Sequence, residues 1–146
     1  MMKKTVYLMA LLLVALMPAC GGEEEERNAL KTEVNEVHDE AMGKMGTLVR
    51  LQKQLTQVAD SLQNDSTSDG SLQVSEIRTA VSELKAADEQ MMDWMHRYSE
   101  ALSNSMPHEE EMAFLTREKQ NMEDVYKNMN AAIDKAEAML NEDIRR

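Results

Sequence analysis

Apolar residues recur at alternating spacings of three and four along three long segments of this chain. Because an α-helix has 3.6 residues per turn, this spacing places the apolar side chains on one side of a helix. It is also the spacing of helices that pack side by side along their length. The sequence therefore predicts three amphipathic helices whose apolar faces meet in one core. The predicted core positions are Leu30, Val34, Val37, Ala41, Met45, Leu48, Leu51, Leu55, Val58 and Leu62 in the first segment; Val74, Ile77, Val81, Leu84, Asp88, Met91, Met95, Tyr98 and Leu102 in the second; and Met112, Leu115, Lys119, Met122, Tyr126, Met129, Ile133, Ala136 and Leu140 in the third.

Two polar interruptions separate the three segments. The stretch 64–71, NDSTSDGS, is a dense cluster of turn-forming residues, and Pro107 in SNSMPHEEE suits the first position of a helix. Segments of similar length joined by short polar connections favour antiparallel neighbours in one bundle. We therefore predict an all-α fold, an antiparallel three-helix bundle with coiled-coil-like seams over residues 29–146.

The composition is also typical of a helical protein. Aromatic residues make up only 3% of the 146 residues, and the sequence lacks the clusters of branched and aromatic residues that are typical of strands. A chain of this length is enough for one domain with a single core.

The N-terminal stretch has the organisation of a secretory signal peptide. Lys3 and Lys4 precede an apolar run from Val6 to Leu16, and small residues lead to Cys20. The run is too short to span a bilayer as a helix of the mature protein. Residues 1–19 are therefore predicted to be a signal peptide.

The end of this stretch, LMPAC, resembles the lipobox of bacterial lipoproteins. The resemblance implies that Cys20 is acylated, begins the mature chain and holds it at the membrane through its acyl chains. Cys20 is also the only cysteine, so the rest of the mature chain has no thiol for a disulfide or for catalysis. The alternative is an ordinary signal peptide in which this cysteine is incidental.

Residues 20–28 follow as a predicted flexible acidic tether, which contains the stretch GGEEEER. The acidic run resembles the signal that exports some Bacteroidota lipoproteins to the cell surface. HDEAMGKM (38–45) and MMDWM (91–95), together with the lipobox, resemble small uncharacterised Bacteroidota helical lipoproteins, some of them labelled viral A-type inclusion protein. The resemblance implies an outer-membrane lipoprotein that faces the periplasm or the cell surface, and it supplies no activity.

The charge of the chain argues against some partners. Removal of residues 1–19 takes away Lys3 and Lys4 but no acidic residue, which leaves 14 Lys and Arg against 27 Asp and Glu, a net charge of −13. Such a chain repels phosphate backbones, and no basic stripe is present, so we do not expect a nucleic-acid partner.

Methionine and histidine residues form the first candidate site. Folding the first two predicted helices about their connection brings the methionines of MMDWMH (91–96) level with those near residue 44. Thioethers are soft ligands that select Cu(I) or Ag(I). The alternative is that these methionines fill the core, since methionine is a flexible packing residue. The candidate copper ligands are His38, Met42, Met45, Met91, Met95 and Met122. Met92, Trp94 and His96 lie off the predicted seam and are expected to face a groove, a partner or water.

The connection between the first two helices is a second candidate metal site. Residues 65–76 have the spacing of an EF-hand calcium loop, with oxygen-bearing side chains at positions 1, 3 and 5, glycine at 6 and glutamate at 12. The alternative is a polar turn that caps the second helix. The candidate calcium ligands are Asp65, Thr67, Asp69, Ser71 and Glu76.

Four residues interrupt the helical patterns. Gly43 and Gly46 are costly inside a helix, so they are expected to mark a bend or the close approach of another backbone. Asp88 and Lys119 fall on predicted core positions, where we expect an ion pair between the second and third helices, side chains that reach outward, or a functional polar site.

No catalytic arrangement is recognisable in the sequence. Its Ser, His and Asp residues are scattered along helix faces, and no glycine-rich phosphate loop or nucleophile elbow is present. We therefore expect no enzyme but a membrane-anchored interaction or structural module with an unidentified protein partner. A metal-binding protein is the alternative.

Overall fold

Three helices account for the fold in the computed structural model, which describes residues 20–64 and 70–143. Helix α1 is Cys20–Asn64, α2 is Gly70–Leu102 and α3 is His108–Asp143, and every pair of helices is in contact. The ion pairs between α1 and α3 join residues whose numbers increase together along both helices, so these two helices run parallel. The hydrogen bonds between α2 and α3 join residues whose numbers change in opposite directions, so these two helices run antiparallel. The predicted all-α, antiparallel three-helix bundle is confirmed.

One apolar core runs the length of the bundle. Side chains that belong to this core or pack against it lie between residues 30 and 140, so the chain from residue 20 onward contains the whole described core. Most of the predicted core positions are buried or half-buried. The buried core residues are Val34, Ala41, Leu48, Leu51, Leu55, Ala59, Ile77, Ala80, Val81, Leu84, Ala87, Met91, Trp94, Tyr98, Phe114, Leu115, Met122, Val125, Met129, Ala132, Ile133 and Ala136.

The buried faces of α2 and α3 are wider than the predicted seams. Trp94 is 2% exposed, so the expectation that it lies off the core was wrong. The neighbouring seam position Met95 is only partly buried, and on α3 Glu118 is buried more deeply than Lys119. The physical reason is that each helix of a three-helix bundle touches two neighbours, which buries a broader stripe than one seam.

The connection between α2 and α3 satisfies helix-end groups. Ser103 and Asn104 donate backbone N–H groups to the carbonyls of Glu100 and Ala101, each at 3.2 Å. The Ser103 hydroxyl donates a second bond to the Glu100 carbonyl at 2.6 Å. Helix-end carbonyls that would otherwise lack partners are thereby bonded, which ends α2 within a few residues of Pro107.

Ion pairs join α1 to the first turn of α3. Lys31 Nζ lies 2.6 Å from Glu111 Oε1, and Arg27 lies 3.6 Å from the same carboxylate. The hydrogen bond from Lys31 is the main cause that lowers the pKa of Glu111. A glutamate in the first turn of α3 also suits the positive end of the helix dipole.

Lys119 pairs with α1, not with α2. Its Nζ donates to Glu33 Oε2 at 2.6 Å and lies 3.9 Å from Glu123. The hydrogen bond to Glu33 raises the pKa of Lys119. Of the alternatives for these two positions, the ion pair between α2 and α3 is wrong. Lys119 is partly exposed and reaches outward to Glu33 on α1, and Asp88 is half-buried.

Helix α1 begins earlier than the sequence indicates. Among the described residues, α1 runs from Cys20 and includes the acidic run, so residues 20–28 are helical where a flexible tether was predicted. Glutamate has high helix propensity, and Glu23 lies in the first turn, where a negative charge is favourable. Arg27 also ties this segment to Glu111 on α3.

Gly43 and Gly46 lie in open space within α1. An added Cβ atom would meet nothing within 4 Å at either position, and the helix continues through both residues. Of the two alternatives, the close approach of another backbone is therefore wrong for the described residues, and a bend stays a prediction. Neither glycine is required by contacts among the described residues.

We expect Gly43→Ala and Gly46→Ala each to raise the free energy of unfolding by up to about 1 kcal/mol. Alanine has the higher helix propensity, and the open surroundings exclude a clash. Urea denaturation followed by circular dichroism measures the change. A decrease in stability in either variant would contradict this reading of α1.

Candidate functional site

The predicted copper ligands are divided between the core and the surface. Met91 and Met122 are fully buried, and Met45 and Met95 pack against the same core. Met42 is 40% exposed and lies on the outer side of α1. The structure therefore places four of the five candidate methionines in or against the core and leaves Met42 outside it.

His38 belongs to a row of rings that links all three helices. Its imidazole lies 5.7 Å from the Trp94 ring, which stacks on Tyr98 at 4.7 Å. Tyr98 in turn stacks on Phe114 at 5.9 Å, and the Arg117 guanidinium lies 5.6 Å from the Phe114 ring. These distances lie within the range of favourable aromatic and cation–π contacts.

Sequence reasoning missed this aromatic row. A signal was present, because Trp94 and Tyr98 are four residues apart, as are Phe114 and Glu118, so each pair shares one helix face. The predicted core positions were instead the next residues along the chain, Met95, Leu115 and Lys119. The row therefore emerges only when the three helices are placed together.

Two buried polar atoms accompany the row. Trp94 Nε1 and Glu118 Oε2 are both buried without a hydrogen-bond partner among the described residues. The other oxygen, Glu118 Oε1, accepts a hydrogen bond from Asn121 at 3.2 Å and lies 3.5 Å from Arg117 Nε. The indole N–H of Trp94 on α2 and one carboxylate oxygen of Glu118 on α3 are thus buried without a hydrogen-bond partner among the described residues.

The electrostatics of Tyr98 follow from these surroundings. Burial is the main cause that raises the pKa of its phenol above the ordinary value of 10.0, and the charges of Glu118 and Glu111 raise it further. Tyr98 therefore stays a neutral packing residue at neutral pH. Nothing in this arrangement favours the phenolate that a tyrosine nucleophile requires.

The MMDWMH stretch is divided by the helix period. Met91 and Trp94 point into the core, whereas Met92 is 55% exposed and His96 is exposed. The question of where Met92, Trp94 and His96 face is thus answered for each residue. Trp94 is a core residue, and Met92 and His96 face outward.

The candidate calcium loop lies mostly outside the described residues. Asp65, Thr67 and Asp69 belong to the range 65–69, for which no structure is given. Ser71 and Glu76 are exposed near the start of α2. The calcium site therefore stays a prediction from the sequence.

A groove between α2 and α3 is lined by small side chains. It has a volume of about 370 Å³ and is bordered by Ala86, Ala87, Ala131 and Ala132. Asn128 bonds to Gln90 at 3.2 Å across it, and Lys135 bonds to Glu83 at 2.7 Å. These polar bridges tie α2 to α3 at two levels of the bundle.

Within residues 20–64 and 70–143, no group of three or more His, Cys, Asp and Glu side chains is placed to hold a metal ion. Among the described helices, none has the length and apolarity needed to cross a membrane. Comparison of the chain with protein-family models, curated proteins and solved structures gives no match.

Substitution of the buried methionines tests how the core depends on them. We expect Met91→Ala and Met122→Ala each to lower the free energy of unfolding by about 2–5 kcal/mol, because each removes a fully buried side chain and leaves a cavity. The matched control Met92→Ala changes an exposed neighbour and should stay within about 0.5 kcal/mol of the wild type. Urea denaturation measures all three, and equal effects at positions 91 and 92 would contradict the assigned faces of α2.

The environment of Tyr98 gives a prediction for alkaline pH. In the chain from residue 20 with Tyr126→Phe, the tyrosinate absorbance reports Tyr98 alone. We expect Glu118→Gln to lower the pKa of Tyr98, because it removes a negative charge, yet to leave the pKa above 10.0, because burial remains the larger cause.

The same shift fixes the sign of the effect on stability. Since the pKa of Tyr98 is raised in the folded state, the contribution of Tyr98 to the free energy of unfolding is complete below the unfolded-state pKa. That contribution is lost as the pH rises through the folded-state pKa.

Glu123→Gln, an exposed change on the same helix, serves as the control for the Glu118→Gln titration. A Tyr98 titration that is the same in both variants would show that Glu118 does not act on the phenol.

Proposed function

We propose that this protein is a lipid-anchored lipoprotein of the bacterial outer membrane whose helical bundle is a non-catalytic interaction or structural module. The observation that carries the proposal is the position of Cys20. The lipobox-like stretch LMPAC ends at Cys20, and every side chain of the described core lies after it, between residues 30 and 140. Cleavage before Cys20 would therefore leave the complete described core attached directly to an acylated residue.

The packing of the bundle supports a role as a module. The apolar faces of all three helices are used in one core, and the helices present charged outer surfaces. Lys119, the cation on a predicted core position, ties α3 to α1 through Glu33. A helical bundle held at a membrane by acyl chains would present its outer surface to other envelope proteins.

Acylation can be tested directly. We expect the full-length chain, expressed in a bacterium that processes lipoproteins, to incorporate a labelled fatty acid and to fractionate with membranes. Cys20→Ala should lose both properties, whereas the control Glu26→Ala should keep them. Cleavage without incorporation of the fatty acid in the wild type would indicate an ordinary signal peptide and overturn the proposal.

The side of the membrane is tested by protease treatment of intact cells. If the acidic run acts as an export signal, a wild-type chain exposed on the cell surface is degraded. A variant with alanine at each of positions 23–26 would then be protected while remaining acylated. Protection of both chains would place the bundle on the periplasmic side.

Metal binding is the second candidate function. His38 lies against Trp94, and Met45, Met91, Met95 and Met122 belong to the core or pack against it, so the bundle interior contains soft thioether ligands. Calcium binding at residues 65–76 would be independent of this cluster.

Native mass spectrometry of the chain with Cu(I), Ag(I) and Ca(II) separates these candidates. Met91→Leu and Met122→Leu remove the thioether at nearly constant volume and therefore preserve packing. A copper complex of the wild type that these variants lose would support a copper site. A folded wild-type chain that forms no copper or silver complex would contradict it.

A further inference from the structure

The first turns of α1, residues 20–29, have little contact with the rest of the bundle. We call this stretch the arm of α1. The apolar side chains that belong to the described core or pack against it begin at Leu30. At positions 22–29, every side chain is exposed except that of Arg27. The arm is therefore a helical extension that the core does not hold.

Arg27 joins the arm to α3. Its Nη1 lies 3.6 Å from Glu111 Oε2, and its Nη2 lies 3.8 Å from Glu24 within the arm. Among the described residues, no other side chain at positions 22–29 forms a hydrogen bond or an ion pair with α2 or α3. The arm is thus attached to the bundle through one ion pair.

Opening of the Arg27–Glu111 pair leaves neither charge buried alone. Glu111 Oε1 lies 2.6 Å from Lys31 Nζ, and Lys31 lies beyond the arm on the half-buried part of α1, so Glu111 keeps a partner when Arg27 leaves. Arg27 Nε is buried without a hydrogen-bond partner among the described residues. Release of Arg27 into water would hydrate this N–H group, so the pair is close to balance between its closed and open forms.

The arm is a weak helix without this attachment. Its Gly21 and Gly22 have low helix propensity, and Glu23 and Glu26, three residues apart, repel each other. A stretch of this length is also shorter than an isolated helix that is stable in water. The helical form of the arm therefore depends on its attachment to α3 and on the part of α1 that continues from it.

We propose that the Arg27–Glu111 pair is a reversible attachment, and that the arm unwinds when the pair opens while the bundle from Leu30 onward stays folded. Residues 20–29 span about 15 Å as a helix and up to about 33 Å when extended. Opening therefore changes the reach of the arm without changing the core.

Ionic strength is the variable that shifts this equilibrium. The pair lies at the edge of the bundle, where the side chains of Arg27 and Glu111 are 32% and 14% exposed. Dissolved ions screen such a pair, so salt favours the open arm.

This inference does not depend on acylation of Cys20, because it concerns contacts within one chain. If Cys20 is acylated as proposed, the open arm would let the bundle stand further from the membrane.

Amide hydrogen exchange measured by mass spectrometry tests the attachment. The chain from residue 20 with Cys20→Ser contains the whole described core and forms no disulfide. In this chain we expect Arg27→Gln and Glu111→Gln each to speed exchange of the amides of residues 24–29 by about two- to fivefold. Glu111→Gln changes no residue of the arm, so its effect cannot come from helix propensity. Exchange near Leu48 should stay unchanged in Arg27→Gln.

Three controls separate the pair from a general effect of charge. Glu110→Gln makes the same charge change at an exposed position in the same turn of α3 and should leave exchange of the arm unchanged. The double variant Arg27→Gln/Glu111→Gln should exchange in the arm no faster than either single variant, because both remove one contact. Raising NaCl from about 0.02 M to about 0.5 M should speed exchange of the arm in the wild type but not in Arg27→Gln.

Three outcomes would overturn the proposal. An arm that exchanges as fast at low salt in the wild type as in both variants is not held by the pair. Equal acceleration by Glu110→Gln and Glu111→Gln would show that net charge, and not the contact, controls the arm. Faster exchange throughout α1 in Arg27→Gln would show that the pair stabilises the whole bundle and that the arm does not open separately.

Discussion

Burial of a broad apolar stripe on each of three helices is the constraint on which the rest of the structure depends. With few aromatic residues, the core is built mainly from leucine, methionine, alanine and valine along its whole length. Ion pairs at the edges of this core join the helices in the alignment that the core packing gives. Lys31 with Glu111 and Lys119 with Glu33 hold α1 against α3, and Lys135 with Glu83 holds α2 against α3.

The sequence predicted the number of helices, their order and most of the buried positions, because a three-and-four spacing has few other interpretations. It did not predict which of two adjacent seams each helix uses. Positions 84, 88, 91, 95 and 98 and positions 84, 87, 91, 94 and 98 satisfy the same spacing. The large ring of Trp94 takes the core position, and Met95 moves to the boundary. Side-chain volume, not periodicity, decides between the two.

The candidate sites show the same division. Folding the helices two at a time predicts that Met45, Met91, Met95 and Met122 lie near each other. It leaves out the third helix of the bundle, which a residue can also contact. That omission explains why Lys119 was paired with Asp88 and not with Glu33 on α1. It also explains why the ring row from His38 to Phe114, which draws on all three helices, was not predicted.

An odd number of helices has a mechanical consequence. Cys20 lies at one end of the bundle, and Asp143 lies at the opposite end, about 54 Å along α3. A pull applied between the two ends would slide α1 along α3, so their ion pairs and core contacts would bear the load together and not one after another. If Cys20 is acylated as proposed, a load applied at the far end of the bundle would be shared by these contacts.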